Sequence, residues 1–335
     1  GEKTGQPMNC FIGLDTSCYT TSVAVMDKEG RLLADCRRLL AVKPGTRGLA
    51  QSEMVFQHIR NLPDLFDEAV GILQEPFRFI AIGASAAPRP VDSSYMPAFL
   101  PGWGMARSLA TSLKIPLYQL SHQENHIYAA LWSANWSPAG DFLAVHLSGG
   151  TTETVAVQNF SSKPAFSLIG ESMDLHAGQL VDRVGVALGL PFPAGPHLEQ
   201  LAATYNGVPL EIPAVVREGK VSFSGPESHI QRLIAQGTVP PAAIAAGVES
   251  CIARSALKMM VYGAETCGVQ DILLAGGVTA NRYIRDFLQE KLQHRSMTLY
   301  IPDPRYSSDN AVGAAYFASQ SAAKAVTAHK RAEKR

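Results

Sequence analysis

The stretch CFIGLDTSCYTTSVAVMD, residues 10–27, decides the fold of the first half of the chain. Its apolar and β-branched residues predict two strands joined by a hydroxyl-rich turn. A second stretch, DFLAVHLSGGTTETVAVQ, residues 141–158, repeats this order, and both second strands contain Val-Ala-Val. Because a repeated motif indicates a repeated unit, the sequence predicts two lobes of similar topology.

Helical and strand patterns alternate after each of these hairpins. Residues 52–73 and 178–190 have helical spacing of apolar residues. Residues 77–88 have the pattern of a buried strand, and residues 270–292 that of a strand, a glycine turn and a helix whose positive dipole end faces the turn. Alternating strands and helices are typical of α/β lobes with mixed sheets.

The length of 335 residues fits two lobes of ordinary size. We predict an N-terminal lobe over residues 8–138 and a C-terminal lobe over residues 139–308. A helix over residues 309–325 is expected to pack back on the first lobe, and residues 1–7 and 326–335 are expected to be flexible ends.

The composition excludes several classes of protein. Lys plus Arg and Asp plus Glu both number 29, so no global positive field attracts nucleic acid, and any such contact needs a local patch or a partner protein. The five cysteines are scattered and never spaced as CxxC, which argues against a disulfide framework or a zinc ribbon. No apolar run has the length of a membrane span. We therefore expect a cytoplasmic protein without a membrane association.

Three small turns follow predicted buried strands, at residues 15–22, 147–153 and 274–281. Glycine and hydroxyl residues there let backbone N–H groups approach a phosphate closely. One such turn is usually only structural. Three in one chain, two of them in duplicated hairpins, indicate a nucleotide site.

The segment SHQENH, residues 121–126, predicts the start of a helix that carries two histidines. Ser121 followed by Glu124 forms a capping box, so the helix begins at His122. His122 and His126 are then one turn apart on one face and can converge on one ion. The alternative is that both are ordinary hydrogen-bonded helix residues, since a metal site needs at least a third ligand.

Asp309 is the candidate third ligand. In YSSDNAVGAAYFA, residues 306–318, we predict that Ser308 or Asp309 begins a helix, which places the carboxylate at a turn. Two imidazoles and a carboxylate suit Zn(II) or Fe(II) and leave coordination positions open.

A zinc peptidase is disfavoured by the same segment. The HExxH motif requires a glutamate directly after the first histidine, and Gln123 occupies that position. Glu124 is already used in the capping box. The chain also has neither a GxSxG elbow nor a convincing Cys/His pair.

From about Phe11 to Ala318 the chain resembles the TsaD/Gcp/Kae family, once called O-sialoglycoprotein endopeptidases, and looks like a divergent paralogue of it. The motifs that carry the resemblance occur in order: IGLDTSC, ARSLA, SHQENH, LSGGTTE, GESMDLHAGQLVDRVGVALGLPFPAGP, VSFSG, LAGGVTANR and SSDNAVGAAY. The resemblance implies the ASKHA fold of actin-like ATPases and Hsp70, an α/β fold with two duplicated lobes and mixed sheets around a nucleotide cleft.

The resemblance also implies an activity. Family members transfer a threonylcarbamoyl group from threonylcarbamoyl-adenylate to the adenosine beside the anticodon of tRNA. It implies one divalent ion, Fe(II) or Zn(II), and an adenine nucleotide as ligand (threonylcarbamoyl-adenylate, ATP or AMP). The implied partners are tRNA, contacted through partner proteins, and either TsaB-like and TsaE-like subunits or a second copy of the chain.

Site residues follow from the matched motifs, although no catalytic residue is assigned. His122, His126 and Asp309 match the family's metal ligands. The positions that match the substrate and nucleotide site are His146, Leu147, Ser148, Gly149, Gly150, Asp182, Gly195, Gly276, Gly277 and Asn281. From the residues alone, structural roles are favoured: Asp182 as a helix-surface acid paired with Arg183 or a neighbour, and Asn281 as a helix N-cap.

The chain departs from the family at several positions around this site. The usual TSCDE is TSCYT, with Tyr19 and Thr20 in place of the acids, and the usual SGGHT is SGGTT, with Thr151 in place of the histidine. The usual GPG turn is Ala87–Arg89, Leu175 replaces an acid, and a lysine is missing after FSFSG. Because charge complementarity sets transition-state binding, these changes leave two alternatives open: a carbamoyl transferase for a small molecule, and a non-catalytic scaffold that binds nucleotide and metal.

Overall fold

A computed structural model of the chain describes residues 5–43 and 48–333. In chain order the strands are β1 (Met8–Asp15), β2 (Thr20–Asp27), β3 (Leu32–Leu39), β4 (Phe77–Ala87), β5 (Leu117–Ser121), β6 (Phe142–Leu147), β7 (Thr152–Gln158), β8 (Ala165–Glu171), β9 (Val215–Arg217), β10 (Lys220–Ser222), β11 (Asp271–Ala275) and β12 (Thr298–Tyr300). The α-helices are α1 (Gln51–Ile72), α2 (Leu100–Leu113), α3 (His122–Ser133), α4 (Ala177–Ala187), α5 (Gly195–Ala203), α6 (Ser224–Gln236), α7 (Pro241–Cys267), α8 (Arg282–Gln293) and α9 (Val312–Ala332).

The chain divides into two compact units, Gly1–Asn135 with Tyr306–Arg335, and Trp136–Arg305. The two ends that we predicted to be flexible are described only in part. Residues 1–4 and 334–335 lie outside the described residues, whereas Val326 to Ala332 are part of α9.

The two units contain sheets of the same topology. The first sheet has the order β3-β2-β1-β4-β5 and the second the order β12-β11-β6-β7-β8. In each sheet three strands form an antiparallel meander, and the first strand of the meander pairs in parallel with a later strand, β4 in the first unit and β11 in the second. A further parallel strand completes each sheet. The duplication that the Val-Ala-Val hairpins predicted is therefore confirmed strand by strand.

Helix α9 lies across the first sheet at two glycines. A Cβ atom on Gly13 of β1 would meet the Ala311 carbonyl oxygen, and one on Gly83 of β4 would meet the Ala314 carbonyl oxygen. The close contact needs strand residues without side chains, because any Cβ would occupy the space of the helix backbone. This packing brings the turn before α9, which contains Asp309, next to the sheet.

The beginning of α9 differs from our prediction. We expected the helix to start at Ser308 or Asp309, but it starts at Val312. The side chain of Asn310 accepts a hydrogen bond from the Val312 N–H and donates to the carbonyls of Tyr306 and Ser308. Asn310 therefore holds residues 306–310 in a turn, since its side-chain bonds replace helical ones.

The core of the second unit forms around α7, whose buried residues include Val248, Ile252 and Met259. This long helix is apolar on several sides, which is typical of a helix at the centre of a unit. Within the parts of the chain that the structure describes, none of the helices combines the length and the apolar character that a membrane crossing requires.

Candidate metal centre and nucleotide pocket

Helix α3 begins as the sequence predicted. The Ser121 hydroxyl accepts a hydrogen bond from the Glu124 N–H at 3.1 Å, and the Ser121 N–H donates to Glu124 Oε1 at 3.1 Å. The capping box is confirmed, and it occupies the only glutamate of the segment. Glu124 is therefore not available as the base of a metallopeptidase.

The three predicted metal ligands converge in the first unit. The Nε2 atoms of His122 and His126 lie 3.0 Å apart, and each lies close to Asp309 Oδ1, at 3.2 Å and 3.0 Å respectively. Two ligands at about 2.0–2.1 Å from a tetrahedral ion are separated by about 3.3 Å. The three atoms are therefore spaced nearly as they would be around one ion, and this N,N,O set suits Zn(II) or Fe(II).

Asp15, at the end of β1, supports this centre from behind. Its Oδ2 accepts from His122 Nδ1 at 2.9 Å, so the Nε2 atom of that ring is turned toward Asp309. A carboxylate in this position fixes the tautomer and the orientation of a metal-binding histidine. We did not predict this role from the sequence, although Asp15 closes the strand in the IGLDTSC motif.

The charges of the centre stabilise one another. Burial by itself raises the pKa of Asp15, but the neighbouring His122 outweighs it and the pKa is lowered. Burial likewise disfavours charge on His122, yet the two adjacent carboxylates raise its pKa well above the ordinary value. The pKa of Asp309 lies well below its usual range, because its hydrogen bonds and ion pairs with both histidines outweigh burial. The two carboxylates therefore favour a positive charge on the His122 ring.

Asn125 connects the elements that carry the centre. Its side-chain N–H groups donate to Asp15 Oδ2 at 2.7 Å and to the Asn310 carbonyl, and its Oδ1 accepts from the Ala314 N–H at 2.8 Å. Asn125 is 1% exposed. One buried amide therefore joins β1, α3 and the turn that presents Asp309.

The second unit contains a pocket of about 280 Å³ between α4, α5, α7 and the start of α8. Five residues that we predicted for the nucleotide line it: Gly149, Asp182, Gly195, Gly277 and Asn281. Most of the remaining lining is apolar, as in Val181, Pro196, Ile252, Val278 and Ile284. A mostly apolar pocket with a few polar groups is the usual site of a small ligand.

The other predicted residues lie beside this pocket rather than in its lining. Leu147 is buried in the core, and His146 is the preceding residue of β6. Ser148 and Gly150 belong to the turn after β6. Gly276 has a φ of 104° and packs against the Leu147 carbonyl, where only glycine fits. These residues support the part of the pocket wall that Gly149 and Gly277 form.

Two lining residues have structural partners. Asp182 Oδ1 accepts from the Ala194 N–H at 2.8 Å and so holds the turn before α5. Asn281 is the N-cap of α8, with Oδ1 accepting from the Ile284 N–H at 3.0 Å, and its Nδ2 donates to Glu249 Oε1 at 2.7 Å. The N-cap that we considered from the residues alone is confirmed, and Glu249 is a pocket residue that we did not predict.

The turn after β6 lies on the N-terminus of α4. Gly178 N–H donates to the Ser148 carbonyl at 3.0 Å, and a Cβ on Gly178 would lie 2.5 Å from the Gly149 nitrogen. The glycine turn after β6 and the N-terminus of α4 therefore lie side by side, and a helix N-terminus favours a nearby anion.

Several positions that depart from the family have defined places. Tyr19 is partly exposed and accepts from the Leu49 N–H at 3.4 Å, while Thr20 is buried at the start of β2. Asp174, next to Leu175, accepts from the side chains of Ser222 and Ser224 and from two N–H groups of the same turn, those of Phe223 and Ser224. Asp174 thus joins the turn before α6 to the segment before α4.

Solved structures with the same architecture include the ROK family glucokinase of Streptomyces griseus, with a TM-score of 0.54, 14% identity and coverage of 93% of this chain and 99% of that one. The activator of 2-hydroxyisocaproyl-CoA dehydratase from Clostridium difficile gives a TM-score of 0.55 at 14% identity and covers 95% of this chain and 97% of that one. At this identity the similarity concerns the fold alone. The class of protein is therefore the ASKHA fold, with two duplicated α/β lobes.

The family follows from sequence comparison. Residues 95–316 match the family model TsaD: tRNA N6-adenosine threonylcarbamoyltransferase, and the chain belongs to this family. A tRNA N6-adenosine threonylcarbamoyltransferase of Thermus thermophilus is 30% identical over 89% of this chain and 88% of its own length. The protein of that name from Aromatoleum aromaticum is 29% identical over 89% of this chain and 87% of its own length.

Proposed function

We propose that the chain is an acyltransferase that moves a threonylcarbamoyl group from threonylcarbamoyl-adenylate to the N6 nitrogen of the adenosine beside the anticodon of tRNA. In this reaction N6 forms a bond to the carbamoyl carbon, loses a proton, and AMP leaves with the oxygen that joined it to that carbon. The observation that carries the proposal is the convergence of His122, His126 and Asp309 in a chain of this family.

His122, His126 and Asp309 would hold one divalent ion, Fe(II) or Zn(II). When bound, such an ion polarises and orients a phosphate or carbamoyl oxygen as a Lewis acid. Asp15 would keep the Nε2 atom of His122 directed at the ion, through its 2.9 Å contact with Nδ1. Asn125 would keep β1, α3 and the Asp309 turn in one arrangement.

The pocket of the second unit would hold the adenylate. Asp182, half-buried on α4, is suited to accept hydrogen bonds from ribose hydroxyls, because an ionised carboxylate is an acceptor only. Gly149 and the turn around it would approach the phosphate and the acyl group, since no side chain separates the backbone N–H groups from a ligand.

Binding of tRNA is proposed to depend on partner proteins. The balance of 29 basic and 29 acidic residues gives no general attraction to a polyanion. TsaB-like and TsaE-like subunits, or a second copy of the chain, would supply the missing contacts. Reactions with and without such subunits will separate these possibilities.

The test is a reaction of the purified protein with threonylcarbamoyl-adenylate and unmodified tRNA, with candidate partner subunits added. Mass spectrometry of digested tRNA measures N6-threonylcarbamoyladenosine, and AMP release is measured in parallel. We expect modification by the wild type, and a loss of at least a hundredfold in His122→Ala. His294→Ala, which changes an exposed histidine at the C-cap of α8, is the matched control and should keep full activity.

One observation favours a second candidate. Tyr19, Thr20 and Thr151 are uncharged where the family carries acids or a histidine, which changes the charge available to an acceptor. AMP release with a small carbamoyl acceptor, but no modified nucleoside in tRNA, would establish a small-molecule transferase. Binding of metal and AMP without turnover under any condition would establish a scaffold instead.

A further inference from the structure

Glu249 is a buried carboxyl group in the wall of the nucleotide pocket. It lies in the N-terminal half of α7, is 5% exposed, and has Val248 and Ile252 of the apolar core as neighbours on its helix. Ile252 and Ala280 line the pocket together with it. A carboxyl group buried in apolar surroundings is costly unless it makes specific hydrogen bonds, so its position calls for a polar partner.

The amide of Asn281 fixes how this carboxyl group is used. Asn281 Oδ1 accepts from the Ile284 N–H at 3.0 Å, so its Nδ2 must be the atom that donates to Glu249 Oε1 at 2.7 Å. Oε1 is thereby defined as an acceptor. The hydrogen bonds among the described residues leave Oε2 of Glu249 for a ligand in the pocket.

The protonation state follows from the surroundings. Burial raises the pKa of Glu249 to about 7, against the opposing effect of the Asn281 hydrogen bond, and the negative charge of Glu199 on α5 adds to the increase. Asp182 on α4 lines the same pocket, and Arg282, Arg285 and Asp286 of α8 line the neighbouring one with Glu249. In its neutral form the group carries its proton on Oε2, because Oε1 accepts from Asn281.

We infer that Glu249 is a specificity-determining residue that reads the nucleobase of the ligand: it pairs with the 6-amino edge of adenine. Oε2–H donates to the unprotonated ring nitrogen, and the carbonyl at Oε1, which has a second lone pair, accepts from the 6-amino group. This inference rests on the proposed function, since it assumes that the pocket holds an adenylate.

The geometry favours the base over the ribose as the partner of Glu249. The group lies in the apolar part of the pocket, where a planar base would be buried, whereas Asp182 and Glu199 are more exposed. Hypoxanthine presents an oxygen in place of the amino group and a protonated ring nitrogen. It would therefore place acceptor against acceptor and donor against donor, and a buried mismatch of this kind lowers affinity strongly.

The experiment compares AMP and IMP binding by calorimetry at pH 6, 7 and 8, in the wild type, Glu249→Gln and Glu249→Ala. The phosphate groups of AMP and IMP titrate alike, so the ratio of the two dissociation constants reports the base alone. For the wild type we expect a preference for AMP of roughly tenfold at pH 6 that shrinks as the pH rises through 7, because ionisation removes the Oε2 proton.

The variant Glu249→Gln distinguishes recognition of the base by Glu249 from a merely structural role of this side chain. Asn281 Nδ2 still donates, so the new side chain must turn its oxygen to Asn281 and its N–H₂ group to the pocket, as the neutral acid does. Glu249→Gln should keep the AMP preference at all three pH values, and Glu249→Ala should lose it. Asp286→Asn, which changes a carboxyl group of the neighbouring pocket only, should follow the wild type.

Equal ratios in the wild type and in Glu249→Ala would overturn the inference while leaving adenylate binding in place. If the Ala variant does not fold, the pH profiles of the wild type and Glu249→Gln decide, and parallel profiles overturn the inference. Failure of the wild type to bind AMP at any pH would overturn both the inference and the proposed function.

Discussion

Oδ2 of Asp15 lies 2.9 Å from Nδ1 of His122, so a carboxylate at the end of β1 orients a ring that is presented by α3. The same oxygen accepts from Asn125, and Oδ1 accepts from the Ser17 N–H at 2.7 Å. Both oxygens of Asp15 are therefore acceptors. An amide at this position cannot satisfy all of these donors, whichever way it is turned.

Asp15→Asn is expected to lower the affinity for Zn(II) by about tenfold to a hundredfold, because outer carboxylates contribute that much to metal affinity. Competition with a chromophoric chelator measures the change. Asp35→Asn on β3, which removes the ion pair with Arg37 instead, serves as the control and should bind Zn(II) as the wild type does. Unchanged Zn(II) affinity in Asp15→Asn would show that Asp15 does not position His122.

Gly83→Ala tests the contact between the first sheet and α9. Its Cβ would overlap the Ala314 carbonyl, so the free energy of unfolding should fall by about 1–3 kcal/mol. Gly104→Ala is the matched control, because a Cβ there meets nothing within 4 Å on the exposed face of α2. In a helix this control change should raise the free energy of unfolding by about 0.5–1 kcal/mol. Urea unfolding curves measure the free energy of unfolding of both variants. Equal changes in the two would contradict the close contact between Gly83 and α9.

Gly178→Ala is expected to weaken AMP binding by roughly tenfold or more, since its Cβ would displace the Gly149 backbone from the position that suits a phosphate. Gly225→Ala, near the start of α6, meets nothing within 4 Å and should bind AMP normally. Calorimetry compares the two variants. Normal AMP binding by a folded Gly178→Ala protein would show that the phosphate does not bind at the Gly149 backbone.

Asp174 makes part of the stability of the second unit dependent on pH. Burial opposes its ionisation, but hydrogen bonds from Ser222, Phe223, Ser224 and Leu175 lower its pKa to about 2. A folded-state pKa below the ordinary 3.8 means that the contribution is present above pH 4 and is lost as the pH falls toward 2.

The expected difference is modest, because Asp174 is exposed to solvent. Between pH 7 and pH 3, the urea midpoint of the wild type should fall by more than that of Asp174→Asn, in which no proton can be taken up at this position. Identical pH dependence of the two midpoints would show that Asp174 does not contribute in this way.

The sequence was sufficient wherever a local pattern decides the structure. The Val-Ala-Val hairpins predicted two duplicated sheets, and Ser121 with Glu124 predicted the first residue of α3. The spacing of His122 and His126 fixed their common face. These predictions depend on residues only a few positions apart, so the local chain geometry determines the outcome.

Local patterns were insufficient where a side chain in the turn before a helix competes with the helix itself. The pattern at Ser308 and Asp309 resembled a helix start, but the side chain of Asn310 holds the chain in a turn until Val312. Glu249 lay in an apolar helical stretch that gave no reason to connect it with Asn281, 32 positions away.

The sequence by itself determined the duplicated α/β topology, the capped start of α3 and the residue types of the candidate metal centre. Only the tertiary structure decided that Asp15 orients His122, that Asn125 ties α3 to the Asp309 turn, and that Glu249 lines the pocket of the second unit. The physical reason is that hydrogen bonds and burial act between groups close in space. Asp15 and His122 are separated by 107 positions in the chain and become neighbours only after β1, α3 and α9 pack together.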